Sequence, residues 1–201
     1  MDNPGLPPAL WAALDKRLWH ATGVRALQGI LGDGEIRVLA DRYNNSLCKT
    51  LGAVSLMDFG PTCVDVPYQF NNWAGWFGCQ QGCRVAVWLE IDRNAVVTNL
   101  VDAGTARCLW RQNLSRKIIP GVEACHRGAI PIGAILLALL IDRYNHEAFQ
   151  QHPMAGDAIG ALLARFEEEL PPPPLENPFF KAIRAANKRR IPRGEAPPGG
   201  E

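Results

Sequence analysis

The sequence predicts an α+β fold, and three stretches carry that expectation. Cys83–Asp92 alternates Val85, Val87 and Leu89 with Arg84, Ala86, Trp88 and Glu90, the period-two pattern of a strand. Gly23–Leu31 and Ala155–Leu170 instead repeat their apolar residues (Val24, Leu27, Ile30 and Leu31; Ile159, Leu162, Leu163 and Phe166) at helical spacing. Lys117–Arg143 starts polar, rises to one acid, Glu123, and ends in an apolar run, while Pro120 and Pro131 argue against a continuous helix through it.

Taken in order, Leu6–Lys16 reads as a short helix with Pro7 and Pro8 near its first turn. Arg17–Thr22 follows as a strand ending near His20, and Gly32 and Gly34 stop the next helix. Glu35–Leu39 is a second short strand. Asp41–Thr50 is polar, with a helical second half that Asn44, Asn45 or Ser46 can cap. Gly52–Phe59 reads as a strand with one polar insertion, Ser55. Gly60–Gly82 is rich in aromatics and amides, suited to covering a core or presenting flat faces to a ring. Asn94–Leu100 and Thr105–Trp110 are weaker elements, and Trp110–Asn113 reads as a polar loop. Val122–Cys125 is a short strand, Ala129–Ile135 a loop with one turn, and Leu136–Asp142 a buried strand. After Arg143 the chain reads as helical, most clearly over Ala155–Leu170. Pro171–Pro174 then favours a stiff spacer, followed by a short basic helix over Pro178–Arg190 and a disordered end.

The chain has 201 residues with 47% apolar composition, enough for one core plus a tail, so 1–170 is expected as the folded domain and 171–201 as linker and tail. A net charge of +1 makes the whole chain no electrostatic magnet for nucleic acid or membrane. MDNPGLPP has no secretory pattern, and the longest apolar run is too short to span a bilayer, so a soluble cytoplasmic protein is the default expectation, with no membrane partner. Six scattered cysteines are expected as reduced thiols. Cys79 and Cys83 with Cys125 and His126 are the one zinc combination worth weighing. Their spacing is looser than a finger knuckle and lacks a second paired motif, so no metal is expected.

Glu123 has apolar neighbours in Ile118, Ile119, Val122 and Ala124, and a carboxylate there is costly to bury without a partner or a task. The plainer alternative has it facing solvent or pairing with Arg127 or Lys117. Three segments weigh against that: LWHATGVRALQGILGDG with its His, GAVSLMDF with its central Ser, and VEACHRGAIP with its Glu. Together they resemble the ADP-ribosyltransferase-fold family, in particular the branch of bacterial nucleic-acid-modifying ADP-ribosyltransferase toxins, over roughly residues 17–142. The resemblance implies ADP-ribosyltransferase-like split antiparallel β-sheets with covering helices. It implies NAD as co-substrate and a macromolecular acceptor, nucleic acid or protein, in a toxin or defence effector. Carried over, His20 holds the ribose and adenylate side of NAD, Thr22 contacts nicotinamide through its backbone, Ser55 shapes the NAD site, and Glu123 is the catalytic acid. Arg42 and Tyr43 fall where some members contact NAD. The chain lacks a clear Ser-Thr-Ser motif, and position 121 is Gly, so the protein-arginine-modifying arrangement is not supported.

The chemistry suits these residue types. Breaking the nicotinamide–ribose bond builds oxocarbenium-like charge on the sugar, and a fixed carboxylate accepting a ribose hydroxyl favours it. An RNA 2′-phosphotransferase on the same scaffold is the alternative enzyme, drawing on Arg42, Arg84, Arg107, Arg111 and Arg127 to grip phosphate. A non-catalytic binding module is the other alternative, with residues 176–193 engaging an antitoxin or other partner.

Overall fold

In the computed structural model, which describes residues 7–38, 45–61, 63, 84–112, 114–154 and 158–170, seven strands pair into one antiparallel sheet. The elements run α1 (Pro8–Leu14), β1 (Leu18–Gly23), α2 (Val24–Asp33), β2 (Glu35–Ile36), α3 (Leu47–Thr50), β3 (Ala53–Asp58) and β4 (Val85–Ile91). They continue with α4 (Arg93–Val96), β5 (Leu100–Val101), α5 (Ala103–Gln112), β6 (Glu123–Arg127), β7 (Ile130–Pro131), β8 (Ile135–Asp142), β9 (Phe149–Pro153) and α6 (Ala158–Glu169). The spatial order is β5-β6-β3-β1-β4-β8-β9, and β2 pairs with β7 in a separate two-stranded sheet. The α+β class read from the sequence holds.

The period-two patterns explain how the sheet buries both faces. On β4, Val85, Val87, Leu89 and Ile91 enter the larger core, where Leu27 and Ile30 of α2 and Ile159, Leu163 and Phe166 of α6 pack. Ala86 and Trp88 point the other way, into a second core closed by Leu10 and Leu14 of α1. There Phe59 stacks on Trp88 with centroids 6.2 Å apart, and Trp11 meets Phe59 edge-on at 5.5 Å. A third, smaller cluster joins Leu47 and Cys48 of α3 to Val101, Ala106 and Cys125.

Several readings change. Residues after Arg143 begin with strand β9, not helix: the apolar edge of β8 recruits Phe149–Pro153, from Leu137↔Pro153 to Ile141↔Phe149, although FQQHP carries no strand pattern of its own. Trp110–Gln112 belongs to helix α5. That helix starts on Asp102, whose side chain accepts the Thr105 N–H at 2.8 Å, and the Trp110 indole donates to the Arg116 carbonyl at 2.8 Å. The cysteines are not all reduced, because Cys48 and Cys125 form a disulfide with Cα atoms 5.4 Å apart, while Cys108 is a free, exposed thiol. Among the described residues no group of three potential metal ligands occurs, and Cys79 and Cys83 lie outside them. The aromatic-rich segment, apart from residues 60, 61 and 63, and the proline-rich and basic tail also lie outside. No described helix is long and apolar enough to cross a membrane.

Candidate active site

The chain positions a carboxylate with a tight turn. Pro120 and Gly121 occupy the two central positions of a turn closed by the Val122 N–H donating to the Ile119 carbonyl at 3.2 Å. Gly121 has φ 82°, the left-handed value that the third residue of a type II turn needs, and Pro120 supplies the fixed φ before it. The turn delivers the chain into β6 at Glu123. The Glu123 N–H donates to the Ile119 carbonyl at 2.8 Å, and its Oε2 accepts the Ile119 N–H at 2.9 Å. Backbone and side chain of Glu123 therefore grip the same residue. A side chain at 121 would have to enter the left-handed region, which accounts for the glycine there. Gly121→Ala is expected to cost about 1–2 kcal/mol of stability and to lower any activity that depends on Glu123, as read by urea unfolding and by turnover.

Strand β3 supplies the second group. The register sets Ser55 opposite Cys125 and Met57 opposite Glu123, so Ser55 and Glu123 share a sheet face as diagonal neighbours. The Ser55 hydroxyl donates to Glu123 Oε1 at 2.6 Å. Ser55 is exposed while Glu123 is 9% exposed, so the carboxylate lies one hydrogen bond beneath the surface. The alternatives of a solvent-facing Glu123, or one paired with Arg127 or Lys117, are not what forms. Its partners are neutral donors, and among the described residues it makes no ion pair. Burial pushes its carboxyl above the ordinary 4.5, only partly offset by the Ser55 and Ile119 hydrogen bonds.

Strand β1 supplies the third group at a break in the sheet. Its ladder with β3 holds only Leu18↔Asp58 and Trp19↔Met57, whereas its ladder with β4 runs from Trp19↔Glu90 to Gly23↔Ala86. Past Trp19 the two strands stop pairing, and His20 Nδ1 lies 3.0 Å from the Ser55 carbonyl oxygen in their place. A carbonyl only accepts, so Nδ1 carries the proton and Nε2 of the neutral ring is left as an acceptor. Burial lowers the His20 pKa below the ordinary 6.5, against a smaller raising effect of the Ser55 carbonyl, which favours that neutral form. His20 is mid-strand in β1, not at its end. Thr22 lies two residues on, buried, opposite Val87.

The sequence-named residues thus divide. His20, Ser55 and Glu123 form one hydrogen-bonded chain across three neighbouring strands, Thr22 is on the same strand as His20, and Arg42 and Tyr43 lie outside the described residues. Among the arginines weighed for phosphate, Arg84 is committed to Asp142 through a two-point contact at 3.0 and 3.3 Å, and Arg127 is exposed. Sequence reasoning missed the Ile119 backbone donor, although the Pro-Gly pair that creates it is a turn signal. It also missed the disulfide, whose Cys48 sulfur lies 3.6 Å from Glu123 Oε1. With the bond formed that sulfur has no proton, so the approach is a contact and not a hydrogen bond.

No family model matches the chain, and a search of curated proteins returns no match. A search of solved structures returns EcPltA, 12% identical, with a TM-score of 0.32, covering 70% of this chain and 84% of that one.

Proposed function

We propose that the chain is an NAD-dependent ADP-ribosyltransferase with the ADP-ribosyltransferase-like split-sheet fold, transferring ADP-ribose to a macromolecular acceptor, nucleic acid or protein. One observation carries the reading: the His, Ser and Glu named by resemblance lie on adjacent strands β1, β3 and β6 and are joined by hydrogen bonds. On this reading NAD would approach where the β1–β3 ladder lapses beside them.

On this reading each residue has a task. The carboxylate of Glu123, held from two sides, keeps lone pairs for a ribose hydroxyl as positive charge builds on the sugar. The glycosidic C–N bond breaks with its electron pair leaving on neutral nicotinamide, and the acceptor attacks the opposite face while losing its proton to solvent. Neutral His20 offers Nε2 to a sugar hydroxyl without adding charge near the developing cation. Ser55 orients the acid, which must be ionised to act. The rate is therefore expected to fall as pH drops through the raised pKa of Glu123.

Ser55→Ala tests the reading through nicotinamide release from NAD. Losing a hydrogen bond to a charged acceptor, worth about 1.5 kcal/mol, raises the Glu123 pKa further. The acid limb of the rate profile should move up by about one pH unit, with a lower rate at neutral pH. Release that is unaffected by Ser55→Ala and independent of pH would remove Glu123 from the chemistry.

A further inference from the structure

The Cys48–Cys125 disulfide sits against the candidate catalytic acid, not in a remote part of the fold. Cys125 is two residues after Glu123 on β6, on the same sheet face. Cys48 lies on α3, and its sulfur is 3.6 Å from both Glu123 Oε1 and the Ala124 carbonyl oxygen. The same segment touches the turn that holds the acid. The Leu47 N–H donates to the Lys117 carbonyl at 3.0 Å, and the Lys117 N–H donates to the Asn45 carbonyl at 2.6 Å. Two residues past Lys117 is Ile119, whose N–H holds Glu123 Oε2. α3 thus braces Glu123 by two routes, one covalent and one through the backbone.

The brace is reversible in principle. α3 is four residues long and packs in the smallest of the three core clusters, so it is an element that can open locally and admit a thiol. Both sulfurs belong to buried residues, so exchange waits on that opening. A dithiol transfers two electrons and two protons. The Cys48–Cys125 bond breaks, two thiols form in its place, and the dithiol closes to its own disulfide. The two sulfurs must then move apart to non-bonded distance, which shifts α3 against β6 beside the carboxylate. The Cys48 thiol also becomes a donor within reach of Glu123 Oε1, competing with the position that Ser55 holds.

We infer that the Cys48–Cys125 pair is a redox switch for the Glu123 site: the disulfide form holds the acid for catalysis and the dithiol form releases it. The effect on turnover rests on the ADP-ribosyltransferase reading; the effect on Glu123 does not. Full-length protein is prepared oxidised and after reduction with dithiothreitol, and alkylation with mass analysis reports the state of Cys48 and Cys125. Nicotinamide release and the carboxyl carbon resonance of labelled Glu123 are followed in both forms. Reduction is expected to lower release about 10- to 100-fold, the scale of a small misplacement of a catalytic group, to move the Glu123 resonance and its titration, and to reverse on reoxidation. Cys48→Ala with Cys125→Ala should be slow and insensitive to dithiothreitol, which separates this pair from Cys63 and Cys108. If that variant does not fold, the reversible reduction of the wild type still decides. Equal release in both forms with an unmoved Glu123 resonance overturns the switch, as does a pair that resists reduction in the native protein. If neither form releases nicotinamide, the enzymatic reading fails, and the Glu123 resonance alone decides the switch.

Discussion

Glu123→Gln is expected to lower nicotinamide release from NAD by about 100- to 1,000-fold, the range for losing one preorganised electrostatic contact to a developing charge. The fold should be undisturbed. The glutamine oxygen can accept the Ile119 N–H while its NH2 donates to the Ser55 hydroxyl oxygen, so both present partners stay satisfied. Stability should hold or rise at neutral pH, because burial disfavours the ionised acid and the amide carries no charge. Linkage gives the sign for the wild type. The folded-state pKa of Glu123 lies above its ordinary 4.5, so its stabilising contribution is present below 4.5 and is lost as pH rises through the folded value. His20 acts oppositely: its folded pKa lies below 6.5, so stability is lost as pH falls below 6.5. Urea unfolding against pH, for the wild type and Glu123→Gln, should show the first dependence disappear in the variant.

The largest stability loss is expected at Asp58, the last residue of β3. Its side chain is fully buried and makes an ion pair with Arg93 of α4. It also accepts the Gly60 N–H at 2.8 Å and the Ala103 N–H at 3.3 Å, the latter at the start of α5. One carboxylate thus ties the end of β3 to α4 and α5. Asp58→Ala leaves Arg93 without its counter-charge and strands two buried N–H groups, a loss of about 3–5 kcal/mol. In a chain of this size that lowers the melting temperature by roughly 10 °C. A Cβ on Gly60 would press on the Arg93 guanidinium and the Asp58 carboxylate, so Gly60→Ala should weaken the same junction to a smaller degree. Calorimetry of the three proteins checks the order, wild type above Gly60→Ala above Asp58→Ala. Asp58 is on the strand that carries Ser55, so loss of any turnover in that variant should track unfolding and not a change in the rate profile of the folded protein.

Where side-chain period was sharp, the fold was legible. β4 and β8 were visible from their apolar residues, and α2 and α6 from helical spacing, because burial on a fixed face leaves that pattern. β9 was not, since FQQHP becomes a strand only by lying along β8, a tertiary cause with no local trace. α5 was read too weakly because Thr105, Arg107 and Cys108 dilute its apolar face, while its Asp102 cap was the signal available. At the candidate site, His20, Ser55 and Glu123 were named together through a family resemblance of three short motifs, while the contacts between them depend on strand order, which no single stretch encodes. The disulfide was hidden for the same reason. Cys48 and Cys125 are 77 residues apart, and only the packing of α3 on β6 brings them together.

The proposed cleavage of NAD with the help of Glu123 is tested most simply by nicotinamide release from the purified oxidised wild type across a range of NAD concentrations at neutral pH. Saturable release that falls away as pH drops through the raised Glu123 pKa is the expected result. No release, together with no saturable NAD binding, would contradict it and leave the His20–Ser55–Glu123 chain as a structural brace between strands.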